Sequence, residues 1–270
     1  MILAPTLALN SVRGPSVDPD AAAFAATSGA TDVAALSAFV KGVKSLGLWN
    51  SLVCWPLRSS QNAGTGTTAF SLGGLGTFNG TLVNGPVWTV DGLVTDATNE
   101  QINLPDDPNL YNSRSAMVVS KNPSSLSNQR MVEFQTDLSP AGWYMLFFYQ
   151  GNSLFGASGF RLSMTRNGTS SVNDNSNRTV NLTDFQSGTV TMNDSADSVF
   201  RNGSLEVGGS RTGLAAINPT GARNVRRLFG GSAGMTGAFA MTSTATWTSS
   251  QVAALHALYR NTLGTGLGLP

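Results

Sequence analysis

The chain has 270 residues, of which 11% are charged, with a net charge of +1 and a single cysteine. A chain of this length can bury a core without disulfides or metals, and one cysteine cannot form an internal disulfide framework. The nearly balanced charge supplies no general field that would collect nucleic acid or an anionic membrane surface, which argues against both as partners.

The N-terminal part predicts an arm followed by one helix. Residues 1–30 are predicted to be an extended arm, because prolines and a glycine that oppose regular structure recur early in it: Pro5, Gly14, Pro15 and Pro19. The apolar start is short and contains a proline, so it does not resemble a membrane span. Residues 31–48 predict a lead-in helix with Thr31 or Asp32 as N-cap and Gly47 as stop. Its apolar face repeats at helical spacing: Leu36, Phe39, Val40, Val43 and Leu46.

From residue 49 onward, short apolar runs separated by turn residues predict β-strands. The candidate strands are 51–57, 67–72, 86–90, 115–120, 130–136, 143–149, 160–165, 188–192, 197–208, 225–230 and 236–246. Asn202-Gly203 predicts a type I′ hairpin turn, since both central positions of that turn need positive φ. Many strands without intervening helices favour an antiparallel sandwich, predicted over residues 49–270, and not a parallel α/β sheet.

The C-terminal end predicts a second, short helix. Thr248 and Gln251 form a capping-box pattern, and Gly264 is a terminator. The predicted buried face of this helix consists of Val252, Leu255, Tyr259 and Leu263. Residues 265–270 are expected to be a flexible or partner-bound tail.

The stretch 167–178 is the most polar and least periodic part of the chain and predicts a long exposed loop. The candidate ligand- or partner-binding residues lie there: Asn173, Asp174, Asn175, Asn177 and Arg178. Asp106-Asp107 and the run 173–175 offer oxygen ligands that calcium prefers, but a turn is the favoured interpretation of each. No metal site and no cofactor are therefore predicted.

Three groups of segments, taken in chain order, resemble a concanavalin A-like domain of the laminin-G or pentraxin type. The first runs from Leu52-Val53-Cys54-Trp55-Pro56-Leu57 through Asn79-Gly80-Thr81-Leu82 and Asn84-Gly85-Pro86-Val87-Trp88 to Ile102-Asn103-Leu104-Pro105. The second is Val199-Phe200-Arg201-Asn202-Gly203-Ser204-Leu205. The third runs from Phe229-Gly230-Gly231 through Gly237-Ala238-Phe239 to Thr248-Ser249-Ser250-Gln251-Val252. The resemblance implies an all-β fold, an antiparallel concanavalin A-like jelly-roll β-sandwich with an N-terminal amphipathic helix and a short C-terminal helix.

Some relatives of this fold hydrolyse glucans with acidic residues on one strand, so the spacing of carboxylates is the deciding test. The chain has only Glu100, Glu133 and Glu206, and the next same-face position after Glu133 is Gln135. The single histidine, His256, lies in the predicted C-terminal helix and is interpreted as structural. Arg223, Arg226 and Arg227 form one basic cluster, interpreted as a solvated strand edge or subunit contact. The chain is accordingly expected not to be an enzyme.

The segment 41–49 resembles the helical prefix of such domains in structural proteins of tailed bacteriophages. The resemblance implies a non-enzymatic virion structural or adhesion protein, either capsid-decorating or tail- or fibre-associated. It would be made in the host cytoplasm and located in the virion, with other virion proteins, its own copies and a cell-surface glycan as partners. The alternative is a carbohydrate-binding module of a bacterial surface or secreted protein. A glycan hydrolase is the third interpretation.

Overall fold

A computed structural model gives the fold, and it describes residues 16–95, 99–111, 113–121, 129–135, 143–150, 159–166, 169–175, 184–193, 196–210, 225–231 and 234–270. For the strands over 143–150, 159–166 and 169–175 it describes the backbone and the pairing register. The helices are α1 (Pro19–Ser28), α2 (Val33–Ser45), the single turn α3 (Pro108–Tyr111) and α4 (Ser249–Asn261), and a 3₁₀ turn spans Trp49–Ser51.

The described strands number sixteen, and their bounds agree with the predicted runs in most cases. They are β1 (Leu52–Pro56), β2 (Thr68–Ala69), β3 (Gly80–Val83), β4 (Val87–Trp88), β5 (Leu93–Thr95), β6 (Glu100–Asn103), β7 (Ser115–Lys121), β8 (Gln129–Gln135), β9 (Trp143–Gln150), β10 (Gly159–Arg166), β11 (Thr169–Asn175), β12 (Gln186–Met192), β13 (Ala196–Arg201), β14 (Ser204–Ser210), β15 (Val225–Gly231) and β16 (Met235–Ser243).

The strands form two antiparallel sheets of eight strands each. Sheet A has the order β14-β13-β12-β7-β16-β5-β4, with β1 also paired to β16, and sheet B has the order β11-β10-β9-β8-β15-β6-β3-β2. The predicted all-β sandwich is thus confirmed as two antiparallel sheets with few helices. Jelly-roll connectivity stays a prediction.

One core lies between the two sheets, where side chains alternate in and out along each strand. In sheet B an inward row crosses four neighbouring strands as Cα partners and is buried throughout: Leu82, Ile102, Leu228 and Val132. In sheet A the inward positions include Val53, Trp55, Val118 and Val199. The Trp55 indole N–H donates to the carbonyl of Phe78 at 2.9 Å, which satisfies its polar atom inside this core.

A second core lies on the other face of sheet A, where the helices pack. The strand residues Leu52, Cys54, Met117 and Phe239 meet side chains from α1, α2, α4 and the C-terminal tail: Ala21, Phe24, Leu36, Phe39, Val40, Val43, Val252, Leu255, Tyr259, Leu263, Leu267 and Leu269. The strands β1, β12 and β16 of sheet A are therefore buried on both faces. No described helix is long and apolar enough to cross a membrane.

The prediction of an extended arm is wrong for residues 19–28, which form α1, whereas residues 1–15 lie outside the described part. Asp18 caps this helix by accepting a bond from the Asp20 amide at 3.0 Å, and Gly29 ends it at φ 79°. Pro19 does not act as a breaker, because a proline at the first helical position is compatible with a helix: its missing N–H has no intrahelical partner there.

The predicted flexible or partner-bound tail is also wrong, because its partner is the chain itself. Leu267 and Leu269 are buried in the helical layer. The Arg58 guanidinium donates to the carbonyls of Leu263 and Thr265, each at 2.9 Å, and fixes the start of the tail. The capping box of α4 is confirmed, with bonds in both directions between Thr248 and Gln251.

Candidate functional site

The outer face of sheet B carries one row of residues that crosses the whole sheet. Eight residues, one from each strand, are successive Cα partners and define the cross-sheet row: Thr68, Thr81, Asn103, Arg227, Glu133, Leu146, Ser163 and Asn173. Directly opposite residues of antiparallel strands share a face, and this row lies one residue along from the inward row. Seven gaps between strands make it about 34 Å long.

Polar groups dominate the described part of this row. Thr81 and Asn103 are exposed and Thr68 is half-buried. The helices and the tail cover the outer face of sheet A, whereas these exposed side chains leave this part of sheet B accessible to solvent. The described part of the outer face of sheet B is therefore open to a ligand at β2, β3 and β6.

A hydrogen-bonded network holds the centre of the cross-sheet row. The Arg227 guanidinium donates through Nε to the carboxylate of Glu133, and through Nη1 to the Gln101 amide oxygen at 2.9 Å. Gln101 lies two residues before Asn103 on the same face, and its Nε2 donates to Asn103 Oδ1 at 2.6 Å. The side chain of Glu133 is 2% exposed and that of Arg227 is 21% exposed. The network fixes these side chains before any ligand arrives.

The predicted exposed loop over 167–178 is wrong for residues 169–175, which form strand β11 at one edge of sheet B. Asn173 pairs with Ser163, Asp174 with Leu162 and Asn175 with Arg161. The pairing register puts Asn173 at the end of the cross-sheet row. Asn177 and Arg178 lie outside the described residues. The assignment of ligand binding to these five residues stays a prediction.

Sequence reasoning misses the residues at the centre of the row. Gln101 and Asn103 are not among the predicted site residues, and they lie outside the predicted strands. Arg227 groups with Arg226 as one basic cluster in the sequence, but alternation separates the two: Arg226 turns to the Asp106 carboxylate at 2.8 Å, and Arg227 turns to Glu133. Arg223 lies outside the described residues. The signal that could have found the site is polar alternation around 101–103, which is typical of an outer strand face.

The other candidate catalytic groups lie elsewhere. His256 is buried in the helical layer, where Ser187 Oγ lies 2.7 Å from its Nδ1 and the Pro270 carbonyl lies 3.0 Å from its Nε2. Burial is the largest cause that lowers the pKa of His256. Burial likewise raises the pKa of the Cys54 thiol. Within the described ranges, no group of three His, Cys, Asp or Glu side chains is placed to hold a metal ion.

Known proteins share the fold of this chain at low sequence identity. No family model matches the chain, and no curated protein matches it. A mutant of Trypanosoma rangeli sialidase that displays trans-sialidase activity is 12% identical with a TM-score of 0.57, and the match covers 86% of this chain and 40% of that one. The same sialidase in complex with sialic acid is 13% identical, with a TM-score of 0.53 and coverage of 79% and 33%.

The binding domain of botulinum neurotoxin serotype D is a further neighbour, at 9% identity and a TM-score of 0.50, with 78% of this chain and 52% of that one covered. The chain thus spans well under two thirds of the length of these structures. The expectation that the chain is not an enzyme is corrected by the sialidases. Their chains contain this fold, so the fold and the spacing of three glutamates do not separate a binding module from a glycan-acting protein.

Proposed function

We propose that the chain binds carbohydrate across the outer face of sheet B, as a lectin-like sandwich of the concanavalin A type. The observation that carries the proposal is the cross-sheet row, whose backbone register runs over eight strands. Its described side chains carry hydroxyl, amide and ion-paired groups: Thr68, Thr81, Asn103, Arg227 and Glu133. Sugars present hydroxyl groups that both donate and accept hydrogen bonds, and such side chains match both roles. A line about 34 Å long suits an extended oligosaccharide better than a compact ligand.

The neighbours support the same class of ligand. One of the sialidase structures holds sialic acid, and the neurotoxin neighbour is a binding domain. The carbohydrate-binding alternative is accordingly favoured over the virion role. The virion location and the virion partners implied by the phage resemblance stay predictions.

The face is preorganised for binding. Arg227 is held by Glu133 and Gln101, and Asn103 is held by Gln101, so ordering these side chains costs little when the ligand arrives. The predicted residue Asn173 lies at the far end of the same row, in the edge strand. The row thus leads from Thr81 through the central network to the strand that contains this predicted residue.

The test compares binding of a broad panel of oligosaccharides to the wild type and to the variant Thr81→Ala/Asn103→Ala, by glycan array and then by titration calorimetry. Both side chains are exposed, so the variant is expected to fold. Loss of two to three hydrogen bonds is expected to weaken binding by about tenfold to a hundredfold. Ser45→Ala, which removes an exposed hydroxyl from the last residue of α2, is the matched control and should bind like the wild type.

Two results would overturn the proposal: no saturable binding across the panel, or equal affinities of the wild type and the double variant. Each incubation should also be analysed for released sugar, because the sialidase neighbours are enzymes. Glycan turnover that Glu133→Gln abolishes would replace simple binding with hydrolysis as the function of this face.

A further inference from the structure

A separate pocket of about 270 Å³ lies at the edge of sheet A, where α1 meets the 3₁₀ turn and the segment 70–79. Its described lining residues are different from those of the cross-sheet row. Leu72 joins this edge to β1, because its N–H and C=O both pair with Cys54 at 2.8 Å. The pocket is thus built on the sandwich itself and not on a free loop.

Three aromatic side chains line the pocket and give it an apolar surface: Phe24, Trp49 and Phe70. Trp49 and Phe70 are half-buried, and Leu72 beneath them is buried. The Lys44 ammonium lies 5.2 Å from the centroid of the Trp49 ring, a cation–π distance that helps to fix the indole. Exposed aromatic surface held in a concave site is typical of small-molecule pockets.

Gly74 brings the backbone close to the indole of Trp49. A Cβ added to Gly74 would lie 2.8 Å from Trp49 Cδ1 and 2.8 Å from the Trp49 carbonyl oxygen. The Gly74 amide donates to that carbonyl at 3.1 Å. Only a residue without a side chain allows this approach, so the shape of the pocket is fixed before a ligand binds.

A polar rim surrounds the aromatic surface. Asn79 Oδ1 accepts from the Ser71 amide at 2.9 Å, and Ser71 Oγ accepts from the Phe78 amide at 2.7 Å. Asp20 contributes a half-exposed carboxylate, with Lys44 Nζ 2.7 Å from its Oδ2 on one side. The rim therefore offers hydroxyl, amide and carboxylate groups next to the aromatic rings of the lining.

We infer that this pocket binds one neutral sugar ring. A sugar ring has an apolar C–H face, which suits Trp49 and Phe70, and a border of hydroxyls, which suits Asn79 and Asp20. The volume is just below the range of about 300 to 1,000 Å³ typical of pockets for larger ligands, which favours a single ring. Among the described lining residues Asp20 is the charged one, and the neighbouring Lys44 ammonium is already paired with Asp18 and Asp20. The described lining therefore offers a sugar carboxylate no unpaired cation, which disfavours a carboxylated sugar. The ligand class rests on the proposed carbohydrate-binding function, but the site is a different one.

The experiment uses a substitution that adds bulk inside the pocket and keeps the aromatic and polar side chains of its lining. Ala23 is an exposed lining residue of α1, so Ala23→Leu adds bulk inside the pocket without removing a contact. Ala22→Leu, at an exposed neighbouring position outside the lining, is the matched control. Both substitutions keep a strong helix former in α1, so both variants are expected to fold.

Binding of glucose, galactose, mannose, arabinose and sialic acid is measured by saturation-transfer NMR and by titration. The wild type is expected to bind at least one neutral monosaccharide with a Kd of about 1 mM, the range reached by small polar ligands, and sialic acid at least tenfold more weakly. Ala23→Leu should weaken the neutral sugar at least tenfold, and Ala22→Leu should leave its Kd unchanged.

The experiments test the pocket inference and the proposed function independently of each other. If Thr81→Ala/Asn103→Ala loses oligosaccharide binding while Ala23→Leu changes neither ligand, the pocket inference is wrong and the proposed function stands. If no oligosaccharide binds to the sheet but a monosaccharide binding to the wild type is lost in Ala23→Leu, the pocket stands and the proposed face is wrong. Absence of monosaccharide binding, or sialic acid binding as tight as that of the neutral sugars, overturns the inference.

Discussion

The guanidinium of Arg227 and the buried carboxylate of Glu133 meet across β15 and β8, where the two residues are direct Cα partners. They are 94 residues apart in the sequence. Sequence patterns alone assign the first to a basic cluster and the second to the candidate catalytic acids. Together they form the centre of the cross-sheet row, and their pairing explains how a buried carboxylate is accommodated on the outer face of a sheet.

Replacement of Arg227 by Met is expected to lower the free energy of unfolding by about 2 kcal/mol, because Glu133 loses a charged donor while it stays buried. Chemical denaturation measures the loss. Glu133→Gln and the double variant complete a double-mutant cycle, and their coupling isolates the pair from the other contacts of each residue.

The control for this cycle is Arg260→Met, at an exposed position of α4, which should change stability by less than about 0.5 kcal/mol. A coupling energy of zero between Arg227 and Glu133 would contradict the role given to the pair. It would also remove the argument that the centre of the row is preorganised.

Truncation of Phe39 to Ala is expected to cost about 3 to 5 kcal/mol of unfolding free energy. The side chain is fully buried and packs edge-on against Phe239 at a centroid distance of 5.5 Å, so its removal leaves a cavity between α2 and sheet A. Ser45→Ala is the exposed control on the same helix. A loss as small as that of the control would mean that α2 does not dock as described.

Local patterns predict the elements whose stability is local. The capping box at Thr248 and Gln251 and the buried face from Val252 to Leu263 specify α4 within 16 residues of sequence, and both are observed. Strand β11 is missed because an edge strand with polar residues on both faces lacks the alternation of a half-buried strand. Helix α1 is missed because its proline counts as a breaker in the sequence pattern, although it is a first-turn residue.

The two proposed sites depend on contacts that no local pattern encodes. The cross-sheet row exists because β15 lies between β6 and β8, which puts residue 227 beside residues 103 and 133. The pocket exists because α1 packs beside the segment 70–79, about 50 residues later in the chain. Sheet order and helix docking, which are global properties, therefore decide both sites.

Acidification is expected to destabilise the helical layer through His256. Burial lowers the pKa of His256 below its ordinary value of 6.5, while the bond to the Pro270 carbonyl opposes this and Arg260 adds to it. On acidification the unfolded chain binds a proton at His256 more readily than the folded chain does. The contribution of His256 to the free energy of unfolding is therefore fully present above pH 6.5, and it is lost as the pH falls from 6.5 toward the lower pKa of the folded state. Thermal unfolding between about pH 8 and about pH 5 measures the slope.

The control for the pH effect is His256→Gln, which keeps a side chain that can both donate and accept but does not titrate in this range. Its melting temperature should depend less on pH between about pH 8 and about pH 5 than that of the wild type. Because Nε2 must donate to the Pro270 carbonyl, the neutral ring accepts from Ser187 at Nδ1, and protonation turns that acceptor into a donor. Equal pH dependence of the two proteins would contradict this assignment.

Substitution of Gly74 by Ala tests whether the close approach to Trp49 shapes the pocket. The added Cβ would lie 2.8 Å from the indole Cδ1 and 2.9 Å from Nε1, so either the segment or the ring must move. We expect a loss of about 1 to 3 kcal/mol in unfolding free energy, together with a change in the near-ultraviolet circular dichroism of the indole.

Gly66→Ala is the control, because Gly66 has φ 73° with no atom within 4 Å of the added Cβ. It should cost about 1 kcal/mol from backbone strain alone and leave the Trp49 signal unchanged. Identical spectra for Gly74→Ala and the wild type would show that the Trp49 ring does not contact the segment around Gly74. The claim that this contact holds the indole in place beside the pocket would then be wrong.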